Sequence, residues 1–209
     1  MADNNEQLEF IKKHKITPDE LFDATGLTRT QYGTIMGQQG KILAFGVTPC
    51  DKFGHTLRTR KGHCVQCSPM VLAIMRRQVA IGFVYIAGSL TERIIKIGYT
   101  ENKNGRQESI NRTKYGKIAD WVMLCTAECE NAGKIEDEVN ALLSKYLSTK
   151  KYDHDGHSQR TYELFTCGYL TAVKALKDVL AKNNLNESLI KEDKLRTPKY
   201  LFPNLVLRK

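Results

Sequence analysis

The stretch CDKFGHTLRTRKGHCVQC, residues 50–67, constrains the fold more tightly than any other part of the chain. Its potential ligands are spaced Cys50-x4-His55-x8-Cys64-x2-Cys67, and His63 stands as a spare histidine beside Cys64. Zinc takes four such ligands tetrahedrally. A two-residue gap lets Cys64 and Cys67 form one half-site, and a glycine before His55 permits the turn that brings Cys50 and His55 round as the other. A zinc ion held by Cys50, His55, Cys64 and Cys67 is therefore expected. With all four positions taken by protein, it serves the fold and not catalysis.

The pattern resembles the small Cys-His-Cys-Cys fingers of phage and bacterial DNA-processing proteins. Arg58, Arg60 and Lys61 fall between the ligand pairs and are expected to form a basic fingertip that contacts phosphates; a solvated loop is the plainer reading of the same charges. Charge over the whole chain points the same way. Its 209 residues carry 32 Lys and Arg against 23 Asp and Glu, a net charge of +9, which suits a nucleic-acid backbone as partner. The opening MADNNEQLEF lacks a basic n-region and a long apolar core, and no apolar run has the length of a membrane span. An intracellular, cytoplasmic protein without membrane contact is expected. In a reducing compartment Cys125, Cys129 and Cys167, outside the cluster, read as buried thiols.

Two helix-start signals precede the cluster. Thr17-Pro18-Asp19-Glu20 combines an N-cap, a first-turn proline and a capping-box glutamate, and Thr28 with Gln31 repeats the box after Gly26. Two helices joined by a short turn are predicted, a pattern resembling a helix-turn-helix, in which Gly33 and Gly37 weaken the second helix. A small helical packing unit is the alternative. Beyond the cluster, SPMVLAIMRRQVA reads as a helix, VYI and IIKIG as a strand pair, residues 105–114 as a helix and WVMLCTA as a strand. Ile135, Val139, Leu142, Leu143 and Tyr146 mark an amphipathic helix. Residues 149–160 read as a polar surface loop, YELF as a short strand and GYLTAVKALKDVLA as the last helix, followed by a tail or docked arm.

Residues 82–165 resemble the GIY-YIG nuclease superfamily. Val84-Tyr85-Ile86 is similar to the first motif, and Lys96-Ile97-Gly98 to the second with lysine for its first tyrosine. Arg106 follows Gly98 by eight residues, a spacing similar to that of the family arginine. The order then runs through a third strand, a glutamate helix and YELF. The resemblance implies an α+β fold, a small three-stranded antiparallel sheet flanked by helices, behind an N-terminal helical and zinc-finger module. The expected division is 1–46, helical and helix-turn-helix-like; 47–79, finger and following helix; 80–181, nuclease-like; 182–209, tail or arm.

The same resemblance implies a Mg2+-dependent endodeoxyribonuclease. Tyr85 would orient or deprotonate a water, Arg106 would hold the scissile phosphate, Lys96 would add a second cation and Glu136 would bind Mg2+. Helical geometry alone does not choose between Glu136 and Glu138; the family pattern favours Glu136, with Glu163 a weaker candidate. Arg112 and Lys114 are expected to add DNA contacts, and the partner is expected to be double-stranded DNA. The oligomeric state is open, a homodimer included. Ile110 stands where many relatives carry a histidine, which favours the rival reading of a nucleic-acid-binding protein on a degenerate, non-cleaving fold.

Overall fold

The computed structural model describes residues 4–154 and 156–206. Residues 1–3, 155 and 207–209, which the expected first and last segments and the polar loop include, lie outside the described residues. The chain divides into two compact units, Met1–Arg77 and Gln78–Lys209.

The N-terminal unit begins with α1 (Asn4–Lys13), then a single 3-10 turn (Pro18–Glu20), β1 (Leu21–Asp23), α2 (Arg29–Gln39), β2 (Leu43–Phe45) and β3 (Arg58–Thr59), and α3 (Met70–Val79) follows. β1 pairs parallel with β2, and β2 antiparallel with β3. Tyr32 and Met36 of α2 bury against Ala24 and Ala44.

The first helix predicted for a helix-turn-helix is corrected by this arrangement. The capping box at Thr17 and Glu20 forms, but the chain leaves the turn at once and Leu21–Asp23 pairs with Leu43–Phe45. The backbone N–H and hydroxyl of Thr25 donate to Asp23 Oδ1 at 2.9 and 2.6 Å. That local turn competes with helical hydrogen bonding. Glu20 is used differently: Arg76 of α3 grips its carboxylate at 2.6 and 2.9 Å.

The second unit comprises β4 (Gly82–Ser89), β5 (Ile94–Thr100), α4 (Arg106–Arg112), β6 (Val122–Cys129), α5 (Ala132–Leu142), β7 (Leu147–Ser148), β8 (Lys151–His154), β9 (His157–Arg160), β10 (Leu164–Phe165), α6 (Tyr169–Lys182) and β11 (Ile190–Glu192). The strand pair, both helices that flank it and the final helix form where periodicity places them. The expected three-stranded sheet is corrected to a six-stranded one, ordered β11-β6-β4-β5-β10-β7 and antiparallel at each pairing. Its centre is the predicted trio; β10, the short strand read in YELF, extends one side with β7, and β11 extends the other. The loop predicted at 149–160 is also corrected: β8 and β9 form a separate two-stranded hairpin, with Gly156 at φ +77° in its turn.

Strand alternation gives the large sheet two different faces. Val84, Ile86, Ile95 and Ile97 pack with Ile135 and Val139 of α5 and with Leu176 and Val179 of α6. Each such side chain contributes about 1.5–3 kcal/mol on burial. Tyr85, Ala87 and Ile94 point the other way, toward Ile110, Trp121 and Leu164. Cys125, Cys129 and Cys167 are buried free thiols, and burial pushes them up to about 12, 11 and 12.

The segment after α6 is a docked arm as far as residue 206. β11 adds to β6, and Tyr200 is buried where Gly88 leaves room: a Cβ there would lie 2.4 Å from its ring. Asn204 Oδ1 accepts from the Gly168 N–H at 3.1 Å, capping α6 from outside its own sequence neighbourhood.

Candidate functional sites

The cysteine-histidine segment closes on itself. Gly54, at φ +71°, makes the turn before His55, and Cys50 N–H donates to the His55 carbonyl at 2.8 Å. The ligand atoms of Cys50, His55, Cys64 and Cys67 all lie within 4.8 Å of one another. Tetrahedral zinc with Zn–S near 2.3 Å and Zn–N near 2.0–2.1 Å requires S···S edges of about 3.8 Å and N···S edges of about 3.6 Å. The cluster has Cys50 Sγ to Cys67 Sγ at 3.8 Å, and His55 Nδ1 to Cys67 and Cys64 Sγ at 3.3 and 3.6 Å. These side chains fit a zinc ion.

Electrostatics within the cluster agree. Burial opposes ionisation of Cys50, but the Phe53 and His55 backbone and the neighbouring thiols outweigh it and draw it down to about 6. Burial, then the thiols of Cys64 and Cys50, push Cys67 up to about 11. Three sulfurs this close cannot all ionise without a cation among them. His55 turns Nδ1 inward, and its Nε2 lies 2.9 Å from Glu6 Oε1 on α1, the outer hydrogen bond that fixes a ligating imidazole. Glu6 gives no sequence signal, being 49 residues from its partner.

The expected fingertip divides. Arg60 and Lys61 reach the surface, whereas Arg58 is only 8% exposed. Its guanidinium donates to the carbonyls of His55 and Thr48, both at 3.0 Å. Arg58 therefore knits the finger's backbone together.

In the second unit β4 and β5 pair so that Tyr85 faces Gly98. A Cβ on Gly98 would stand 2.3 Å from the Tyr85 hydroxyl and Cζ. The glycine of the second motif thus exists because the phenol lies across it. Arg106, first residue of α4, donates from Nε to the Tyr85 hydroxyl at 3.2 Å. Lys96, 1% exposed, holds its ammonium 5.7 Å from the Tyr85 ring centre and 4.2 Å from that of Tyr115.

The buried ammonium is balanced by Glu163, with which it forms an ion pair. β10 places that glutamate by pairing Leu164 with Lys96. Tyr115 also donates to Glu163 Oε2, at 3.3 Å; burial and that carboxylate drive the phenol well above its ordinary range, so it remains a donor. Tyr152 of the hairpin packs on Tyr115, with ring centres 5.0 Å apart.

The structure thus gathers Tyr85, Lys96 and Arg106. Glu136 is fully buried on α5, the helix that covers the opposite face of the sheet, and Asn140 donates to its Oε1 at 3.3 Å. Ile110 is buried in the Tyr85 face. Arg112 and Lys114 are exposed at and just after the end of α4. Tyr115 was not legible as a site residue, because only packing brings it over Lys96; the signal for Glu163 was its place in YELF.

Residues 82–183, just under half of the chain, match the T5orf172 domain. That domain is a family of nuclease-like and DNA-binding domains related to GIY-YIG-type homing endonucleases. No curated protein and no solved structure matches the chain. The match points to a nuclease or DNA-binding role for the second unit, and the first unit carries a cluster able to hold a metal. Among the described residues no helix is long and apolar enough to cross a membrane.

Proposed function

We propose that this chain is a DNA endonuclease that hydrolyses phosphodiester bonds at a GIY-YIG-type site formed by Tyr85, Lys96 and Arg106, and that the zinc-bearing N-terminal unit engages duplex DNA. The observation that carries this reading is the Tyr85 hydroxyl, bound by Arg106 at 3.2 Å with the Lys96 ammonium beside its ring. A phenol set between two cations suits a reaction in which a proton leaves water while negative charge grows on a phosphoryl group.

In this mechanism Tyr85 loses its own proton to solvent first, and the resulting phenolate, with Arg106 and Lys96 beside it, orients the attacking water and takes its proton, re-forming the phenol. Arg106 exchanges the phenol for the scissile phosphate and neutralises charge on its non-bridging oxygens. Lys96, held by Glu163, keeps a fixed positive charge at the site. The exposed Lys61, Arg112 and Lys114, with the half-buried Arg60, offer charges to the backbone.

Mg2+, which prefers oxygen ligands and keeps several waters, is the expected catalytic ion, with Glu136 as its expected ligand. Glu136 has no exposed surface, and the carboxylate nearest Lys96, Glu163, is already ion-paired. These side chains do not form a ready oxygen cage, so the steps above rest on the chain's own groups.

A second reading, DNA binding without cleavage, is favoured by one observation: Ile110 fills with buried apolar surface the position where many relatives carry histidine. Plasmid nicking separates the two. Mg2+-dependent nicking, absent in EDTA and lost in Glu136→Ala, supports the nuclease with its expected ligand. Retained nicking in Glu136→Ala removes Glu136 from the metal site, and DNA retention without nicking under any divalent metal establishes the binding protein.

A further inference from the structure

Gly33 and Gly37 weaken α2 as a helix, and both face Arg60, which leaves no room for a side chain at Gly33. A Cβ on Gly33 would stand 2.8 Å from the Arg60 carbonyl oxygen, and one on Gly37 3.5 Å from the Arg60 guanidinium. The fingertip backbone therefore lies directly on α2. Arg29 seals the junction from the first turn of the helix. Its Nη1 donates to the Lys61 carbonyl at 3.5 Å, and its Cδ occupies the space where a Cβ on Gly62 would come within 2.7 Å.

Finger and helix together enclose an open groove of about 560 Å3 lined by Arg29, Thr30, Gly33, Thr34, Arg60, Lys61 and His63. The lining contains two guanidinium groups, an ammonium, an imidazole and two hydroxyls, with no carboxylate. Thr34 donates its hydroxyl proton to the Thr30 carbonyl at 2.9 Å. The attraction for an anion comes from these side chains and not from the end of α2, where Thr28 accepts from Gln31 N–H in a capping box.

We propose that this groove seats a backbone phosphate of duplex DNA, with Arg29 of α2 acting alongside Arg60 and Lys61 of the finger. The inference rests on the DNA-binding reading above and makes it specific. Positive charge of one sign in a concave site matches a phosphodiester. Apart from the His63 imidazole the lining has no aromatic ring, and it has no aliphatic wall, so what the groove offers a nucleic acid is charge for its backbone. It also gives α2 a task other than insertion into the major groove, and it joins Arg29 to cations 31 and 32 positions further along the sequence.

The test uses the full, zinc-loaded chain and a short mixed-sequence duplex, with affinity measured by fluorescence anisotropy over a series of salt concentrations. Arg29→Ala should flatten the slope of log K against log salt by roughly 0.9, the value for one lost phosphate contact on B-DNA. Arg29→Ala combined with Arg60→Ala and Lys61→Ala should flatten it further, and Arg29→Lys should restore most of the slope. Because Arg29 also touches the finger, Thr34→Glu provides a second probe: it puts a carboxylate on an exposed lining position and should weaken binding with zinc content unchanged. Steep, salt-dependent binding that neither Arg29→Ala nor Thr34→Glu alters would overturn the groove and leave the DNA-binding reading standing. Failure of the wild-type chain to bind duplex DNA at low salt would bring down that reading and the groove with it.

Discussion

In the N-terminal unit three thiols and an imidazole face one another with every ligand atom within 4.8 Å. In the second unit Lys96 and Tyr115 bind the Glu163 carboxylate, and Arg106 and Lys96 flank the Tyr85 phenol. The signs of these sites are opposite. Lone pairs directed inward among crowded sulfurs call for a dication, and once four protein ligands hold it, water has no place on the metal. Lys96 and Arg106 beside Tyr85 instead suit an incoming anion. The comparison separates architecture from chemistry: the first unit carries a cluster able to hold a metal, and phosphoryl chemistry, where it occurs, belongs to the second.

Removing two thiols should have the largest effect. Structural zinc in finger peptides contributes about 10–16 kcal/mol of apparent binding free energy. Wild-type chain should carry about one zinc by metal analysis; Cys64→Ser/Cys67→Ser should carry none and lose protease resistance across residues 47–67, while the cooperative melt of the second unit persists. Full zinc content in that variant would break the comparison at its first half.

Gly98→Ala tests the other half. The new methyl would overlap the Tyr85 phenol, whose hydroxyl lies 2.3 Å from the Cβ position. Overpacking a site this tight costs about 1–3 kcal/mol. Denaturant unfolding should show that loss, and the Tyr85 resonances in NMR spectra should shift more than those of the α5 face. An unchanged Tyr85 environment would show that the phenol does not lie across the glycine.

A smaller effect sharpens the metal side. Glu6→Gln should leave one zinc bound but accelerate its release to a chromophoric chelator by roughly tenfold, the low end for lost outer-sphere partners. Equal release rates would mean that Glu6 only touches the finger.

The smallest concerns α3. Hydrogen bonding from Arg76, ahead of the opposing effect of burial, holds the Glu20 carboxyl below its ordinary 4.5. A lowered folded-state value contributes stability above pH 4.5 that is lost as pH falls through that lowered value. With Arg76 38% exposed, solvent screening limits the pair to about 1 kcal/mol. Glu20→Gln should lower stability at neutral pH by about that amount and remove the corresponding part of the acid dependence, read from urea melts at several pH values.

Much of this was legible in the sequence, and the reasons differ by site. The metal cluster could be read because all its ligands lie within residues 50–67, where spacing nearly determines geometry. Tyr85, Gly98 and Arg106 could be read from order along a hairpin and the helix after it. What escaped depends on pairing between distant segments. Glu163 was marked by its place in YELF, but its partnership with Lys96 comes through the register of β10, and Tyr115 arrives by packing. Arg58 and Arg60 look alike in sequence, yet β3 ends at Thr59, so Arg58 is held in the strand with its side chain buried while Arg60 stands in the turn that follows. The 151–160 hairpin read as a loop because Tyr152 is its one buried anchor among the described residues, and β11 was hidden because three residues pair through backbone groups that any sequence carries.

Tyr85→Phe tests the central claim most directly, because it removes one hydroxyl and leaves the ring that packs over Gly98. Duplex binding and cleavage should be measured on the same preparation, alongside Arg106→Ala. The account predicts that Tyr85→Phe folds and binds DNA almost as the wild type does while cleavage falls by about 100-fold or more, and that Arg106→Ala lowers cleavage more than affinity. Wild-type cleavage rates in both variants would contradict it and leave Tyr85 a strand aromatic and Arg106 its packing partner.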